Sequence, residues 1–413
     1  MGGELIAPVK RALLPDALLV HAQRLEERVG LLADEGGRIV ALAAEQEMAP
    51  ARWERFPGEL WTAAPILAHA HLDGYDAPAA SFRRQPFAAW IADLLAWRAT
   101  PGRLSPAASS AAACAALERT GCGLVAAHGS EAGAEGTGGA DIEVLPWREI
   151  IDPFPEDAPA QAFARWLQTA GPSAAGLALH APYTVDLALA REVFRAASGP
   201  VSLHLGETEE ERDLLAHGSG PLAELLRARR GRLMSARFTS PVDWLAACGG
   251  LRPGTLAVHG TALTSEELQT LTTGGVSIVF CPGTHQWFDR PRPAFAAAGI
   301  YPAALGCDSR ASNEALDPLR EFRLACSLIP ERGPAGWWHA LTEGGARALQ
   351  RRDLGRLDAR HRLRPLRFCD PRALEALAMA PDPASKAAAF CSWLAAAPEA
   401  RFLAARIPDP HHA

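Results

Sequence analysis

Near residue 60 the spacing of apolar positions along the chain changes. Before that point short apolar runs follow one another closely: Ala17–Val20, Val29–Ala33 and Arg38–Leu42, separated by polar or glycine-bearing turns such as Glu35-Gly36-Gly37. This spacing predicts short strands of a small β-domain. From Ile66 to about Leu349, short apolar runs alternate with amphipathic stretches, the pattern of parallel βα units. Strands are expected at Ile66–Ala68, Gly123–Ala127, Glu143–Leu145, Leu177–Leu179, Val201–Leu203, Leu256–Val258, Val276–Phe280 and Ala303–Leu305. Helices are expected at Pro86–Arg98, Ala107–Thr120, Leu187–Ala197 and Pro221–Arg230, and a Gly- and Ala-rich loop at Gly129–Gly139. After Leu349 the Arg- and Leu-dense segment Leu354–Phe368 reads as a return to the small β-domain. Pro371–Ala404 reads as Ala-rich helix and Pro408–Ala413 as a frayed tail. The expected fold is therefore α/β: a (β/α)8 TIM barrel over residues 61–350, with a small β-sandwich-like domain formed from the N- and C-terminal segments 1–60 and 351–413.

Composition narrows the function classes. The chain has 413 residues, 48% of them hydrophobic, enough for a barrel core and an appendage. A net charge of −6 gives no electrostatic basis for binding nucleic acid or an anionic membrane. The first ten residues lack the pattern of a signal peptide, and no apolar run is long enough to span a bilayer. Eight scattered cysteines without a CxxC pair suggest free thiols in a reducing compartment, so a cytoplasmic location is expected.

The histidines carry the chemistry. His69 and His71 directly follow the run Pro65–Ala68, and residues i and i+2 of a strand point to the same side. His180, His204 and His259 follow the runs ending at Leu179, Leu203 and Val258, and Asp308 follows Ala304–Cys307. Imidazoles and a carboxylate thus recur at the C-terminal ends of five strands, the barrel face where active sites form. Such ligands suit a divalent metal, Zn²⁺ first and Fe²⁺ as a second fit. One histidine after an apolar strand is usually structural; the whole set in one register is a site.

These segments resemble the amidohydrolase superfamily, in its mononuclear deaminase branch. His69-Ala70-His71-Leu72-Asp73 is similar to the first-strand HxH, and His204-Leu205-Gly206-Glu207-Thr208 to the HxxE of strand five. Val258-His259-Gly260 with Leu263-Thr264 is similar to strand six, and Leu305–Ser309 with Ala311-Ser312-Asn313 to strand eight. The resemblance implies metal ligands His69, His71, His204 and Asp308. It implies Glu207 as proton shuttle between attacking water and leaving group, with Asp308 also accepting a proton. His259 would orient the water or serve as a further ligand. Glu209, Glu210 and Glu211 read as the polar start of a helix. His180, in His180-Ala181-Pro182-Tyr183-Thr184, would bind substrate or organise its loop, and His285, in Cys281–His285, would lie near the substrate with Trp90. Binuclear members bridge their metals with a carboxylated lysine; only Lys10 and Lys386 occur here, both outside the barrel, so one metal is expected.

The bound ion would lower the pKa of a water from ~15.7 toward ~7. Pro86-Phe87-Ala88-Ala89-Trp90, Ser240-Pro241-Val242 and His285 resemble aminodeoxyfutalosine deaminase-like proteins. That resemblance implies hydroxide attack on an adenine-type nucleoside derivative, release of ammonia and a role in menaquinone synthesis. Guanine, S-adenosylhomocysteine or a chlorotriazine ring are alternative substrates, and a non-enzymatic barrel is the reading from another class. The partner implied is a small molecule, with a homodimer as the candidate assembly.

Overall fold

The computed structural model describes residues 8–403 apart from 131–132, 134, 140, 152–157, 171–175, 231–232, 234–236, 398–399 and 401. The tail at 408–413, with His411-His412, lies outside the described residues. By contacts the chain divides into two compact units. One holds Met1–Ile66, Leu117–Leu124 and Pro318–Ala413; the other holds Leu67–Ala116 and Val125–Asp317. Among the described residues no helix is long and apolar enough to cross a membrane. All eight cysteines are free thiols.

The first unit is built on one mixed sheet that joins both ends of the chain. Its strand order is Phe402–Leu403, Pro365–Phe368, Glu54–Ala63, Arg11–His21, Val29–Ala33, Ile39–Ala44, with Arg24–Glu27 pairing Arg11–His21. Leu13, Leu18, Val20, Leu31, Ile39 and Trp61 are fully buried against one another. Arg367 donates twice to Glu59 across neighbouring strands, at 2.7 and 2.8 Å, in the fork geometry that suits a buried charged pair. The long helix expected over Pro371–Ala404 is broken. Pro381 and Pro383 interrupt it, Asp382 caps the new start by accepting from the Ala384 and Ser385 amides, and the helix runs Pro383–Ala396. Phe402 and Leu403 then add a short strand beside Pro365–Phe368.

The second unit contains the parallel barrel. Its strands are β1 (Ile66–His71), β2 (Leu124–Gly129), β3 (Glu143–Ile150), β4 (Gly176–Leu179), β5 (Val201–Leu205), β6 (Thr255–His259), β7 (Ser277–Phe280) and β8, split into Ala304–Leu305 and Asp308–Ser309. They are neighbours in sequence order, and β8 closes the ring. Its first half pairs with Val279 and Phe280, and its second half with Ala70 and His71. The break falls at Gly306, where a Cβ would lie 2.8 Å from the His69 carbonyl oxygen. Without a side chain at 306, the Cys307 amide can donate to that carbonyl at 2.9 Å. The strand interiors are near-continuous apolar runs because helices cover a parallel barrel from outside; Val201 to Leu205 are all buried.

Candidate active site

The four residues with expected ligand roles converge at the C-terminal ends of β1, β5 and β8. His204 Nε2 lies 3.3 Å from His69 Nε2 and 3.4 Å from His71 Nε2. Asp308 Oδ1 lies 3.7 Å from His69 Nε2 and 3.6 Å from His71 Nε2. Four donors at ~2.1 Å from a tetrahedral ion are about 3.4 Å apart, so this spacing suits a divalent cation. Two of the four donors are held in the state a cation needs. Burial would lower the His204 ring, but the carboxylates of Glu149, Glu207 and Asp308 outweigh it and raise the ring toward holding a proton, which a cation taking its place among them would no longer require. Burial drives the His69 ring well below the ordinary histidine value, leaving it neutral. Burial would raise the Asp308 carboxyl, but the hydrogen bond with His69 and the surrounding histidines outweigh it and hold it well below the usual carboxylate range. Three imidazoles and a carboxylate pointing lone pairs at one spot repel each other unless a cation sits among them. These four residues are grouped so that together they could hold a metal ion.

A second layer of contacts fixes this geometry. His204 Nδ1 meets the His180 carbonyl oxygen at 2.8 Å, which leaves Nε2 to face the ligand cluster. Asp308 turns Oδ1 toward the histidines while Oδ2 accepts from Thr284 Oγ1 and Ser312 Oγ, both at 3.0 Å. Asn313 Nδ2 donates to the Cys307 carbonyl at 2.8 Å, and its amide packs where any Cβ at Gly283 would stand, 2.3 Å away. Gly283 is thus the residue that lets Asn313 brace the end of β8. His259 and Asp308 both take positive φ, 75° and 56°. Each such residue costs of order 1–3 kcal/mol and turns a side chain from the strand toward the centre.

Glu207 stands three residues past His204, buried, at the start of the loop leaving β5. Its Oε2 is 3.8 Å from His259 Nε2, and its Oε1 accepts from Arg290 Nη2 at 2.8 Å. Burial would raise this carboxyl, but His259 and Arg290 outweigh it and hold it below the ordinary glutamate value. Burial also pushes His259 down to about 4, so its ring is neutral at pH 7.

The acidic run after Glu207 does begin a helix, Glu209–His217, but two of its members do more. Glu211 is fully buried, accepts the Glu207 amide at 2.8 Å, and is pushed up to about 8 by burial. Glu210 accepts the amides of Phe87 and Ala88 at 2.8 and 3.1 Å, capping the helix Phe87–Arg98 from across the barrel mouth.

A cavity of about 420 Å³ opens beside the cluster. His71, His180, His204, Glu207, His259 and Asp308 line one part of it; Phe87, Trp90, Leu94, Tyr183 and Leu226 line another, with Glu149, Arg98 and Arg229. Its size suits a small-molecule ligand. Trp90 forms part of the wall and is anchored by donation to the Ala311 carbonyl at 3.2 Å. His180 holds Thr184 Oγ1 at 2.8 Å and also lines the cavity. His285 does not. It is buried against Phe280 and pushed down to about 4 by burial. The helix Pro282–Trp287 starts directly after β7 and turns Thr284 toward Asp308. The next residue is His285, and the charges of Arg290 and His259 lie near enough to add to the downward push of burial on its ring. Sequence reasoning also missed Arg290, Glu149 and His128. His128 is buried with its ring 4.2 Å from that of His69. It follows an apolar strand like the others, and that was its available signal. Arg290 had none, lying in a loop among other arginines.

The barrel and this site define a metal-dependent hydrolase of the amidohydrolase fold. No family model matches the chain. Aminodeoxyfutalosine deaminase of Deinococcus radiodurans is 30% identical over 327 residues, 72% of this chain and 75% of the relative. The chain belongs to that deaminase family, whose members are hydrolases of C–N bonds other than peptide bonds. Two solved structures share the fold. Helicobacter pylori aminofutalosine deaminase in complex with methylthio-coformycin has a TM-score of 0.74 at 19% identity, covering 87% of this chain and 92% of that one. An adenosine deaminase from Xanthomonas campestris with bound zinc has a TM-score of 0.70 at 23% identity, covering 92% and 89%.

Proposed function

We propose that this enzyme deaminates an adenine-type nucleoside derivative of the aminodeoxyfutalosine kind, with one Zn²⁺ held by His69, His71, His204 and Asp308. The observation that carries the reading is the convergence of those four donors beside an ionised Glu207 and a neutral His259, at one end of an aromatic-walled cavity. The relative's name and the neighbour solved with methylthio-coformycin support the choice of substrate.

The bound ion supplies Lewis-acid chemistry, bringing the pKa of a water toward ~7. Glu207 takes a proton from the attacking water on Oε2, because Oε1 is tied to Arg290. It then returns protons to the ring nitrogen and the departing amine. His259 orients the attacking oxygen as charge develops. Asp308 stays ionised under its two hydroxyl donors and can share a proton with Glu207. Trp90, with Phe87 and Tyr183, flanks the flat base, and His180 contacts the substrate. Water adds oxygen to the carbon bearing the amine, and ammonia leaves.

In this reading the barrel, residues 61–350, carries the chemistry, and the enzyme works in the cytoplasm on a small molecule in menaquinone synthesis. Ammonia release from a panel of adenine nucleosides, guanine, S-adenosylhomocysteine and a chlorotriazine tests it. Turnover of adenine nucleosides above the rest is expected. Turnover confined to guanine or the triazine would overturn the substrate assignment.

A further inference from the structure

Glu211 is a buried acid beside Glu207 that the chemistry above does not use. It sits in the first turn of the helix Glu209–His217, whose N-cap Thr208 accepts the Glu211 amide at 3.1 Å. Thr at the cap with Glu three residues later is the sequence of a capping box, in which the Glu side chain reaches back to the amide of the cap itself. The helix after β6 has such a box: Glu267 accepts the Thr264 amide at 2.7 Å and pairs with Arg212. Glu211 departs from that pattern twice. Its Oε2 reaches one residue further back, to the amide of Glu207 at 2.8 Å. It is also fully buried, and among the described residues no ion pair reaches it. Burying an acid in this way is costly, and holding a helix start does not require it.

The Glu207 backbone shows what the departure achieves. Gly206 takes a positive φ of 61°, and its carbonyl accepts the Ala262 amide at 2.8 Å. The Glu207 carbonyl accepts from Thr261 Oγ1 at 3.1 Å. Both contacts come from the loop after β6. The Glu207 amide is the polar group that remains, and Glu211 takes it from the opposite side along the chain. With both ends of the residue held, a turn of the backbone cannot carry Oε2 away from His259, which stands 3.8 Å off. Glu211 Oε1 has no hydrogen-bond partner among the described residues, so Glu211 reaches Glu207 through the backbone and not through its carboxylate. Burial pushes the Glu211 carboxyl up to about 8. At neutral pH it is mainly a neutral acid, whose carbonyl oxygen still accepts the amide without setting a full second charge beside Glu207.

We propose that Glu211 is a positioning residue for proton transfer: by accepting the Glu207 amide it fixes where the Glu207 carboxylate stands relative to His259. This rests on the reading of Glu207 as the proton shuttle.

The test replaces Glu211 with Met, which fills its volume but accepts no hydrogen bond, and with Gln, whose carbonyl can accept the same amide. Each substitution is made in the wild type and in Glu207→Gln. Kinetics are measured on the adenine nucleoside that the wild type turns over fastest, with metal content on each sample. Glu211→Met should lower kcat by ~10-fold or more with KM within ~3-fold of wild type and metal retained, because a displaced base costs turnover more than binding. Glu211→Gln should recover most of that loss. In the Glu207→Gln background Glu211→Met should cost less than ~2-fold, since a residue that acts only through Glu207 has nothing left to position. An equal loss in both backgrounds, a Met variant with wild-type kcat or a loss of metal overturns the inference. So does a Gln variant with kcat ~10-fold or more below wild type, a result that stands even if the Met variant does not fold. A near-normal kcat in Glu207→Gln alone overturns instead the shuttle reading on which the inference rests.

Discussion

Arg290 Nη2 donates to Glu207 Oε1 at 2.8 Å, leaving the other carboxylate oxygen 3.8 Å from His259. The pair leaves Oε2 as the oxygen not tied to Arg290 and, together with His259, holds the carboxyl below the ordinary glutamate value. Replacing Arg290 with Met removes the charge and the fork. With one of the charges that lower it gone, the Glu207 carboxyl rises relative to wild type. Because the ionised form is the working base, the acidic limb of kcat/KM should move to higher pH. Misplacement of Glu207 should also lower kcat by about 10-fold or more. Arg290→Lys should recover part of both effects. An unchanged pH profile in Arg290→Met would leave the pair without a role in proton transfer.

Ser312→Ala and Thr284→Val each remove one of the two hydroxyls that hold Asp308 Oδ2. Such support typically changes metal affinity 10–100-fold, so each variant should release its ion to a competing chelator at a lower concentration than wild type does. The double variant should lose more than either single one. Chelator titrations that superimpose on wild type would show that Asp308 needs no such bracing.

Much of this site could be read from sequence because strand periodicity is short-range. Once β1 is placed, His69 and His71 must share a side, and the runs before His204, His259 and Asp308 set their depth. Arg290 and Glu149 escaped because their roles depend on the barrel closing. Arg290 meets Glu207 across 83 positions of chain, and nothing local to either residue marks the pairing. His285 is buried beside Phe280, within reach of the charges of Arg290 and His259. Its segment matched a motif, and within that segment the helix that begins directly after β7 brings Thr284 to Asp308, a contact the motif did not mark. The break in the C-terminal helix was legible in Pro381-Asp382-Pro383, whereas the strand Phe402–Leu403 takes its structure from a partner far away in sequence.

Glu207→Gln keeps the size of the side chain but cannot accept and return a proton. The variant should retain its metal and bind an adenine nucleoside, while kcat falls by at least ~10²-fold. Rapid-quench turnover with metal analysis on the same sample checks this. A near-normal kcat would move proton transfer to Asp308 with His259. Loss of the metal would make Glu207 part of the coordination sphere.

In the proposed mechanism one ion, held by His69, His71, His204 and Asp308, is what makes this barrel an aminohydrolase. The direct test strips the purified protein with chelator, then adds Zn²⁺ in steps while following ammonia release from its adenine nucleoside substrate. Activity should be absent in the stripped protein, rise in proportion to added metal and level off at one equivalent per chain. His69→Ala should show no such rise. Full activity in the stripped protein, or a plateau reached only at two equivalents, would rule out a one-metal aminohydrolase.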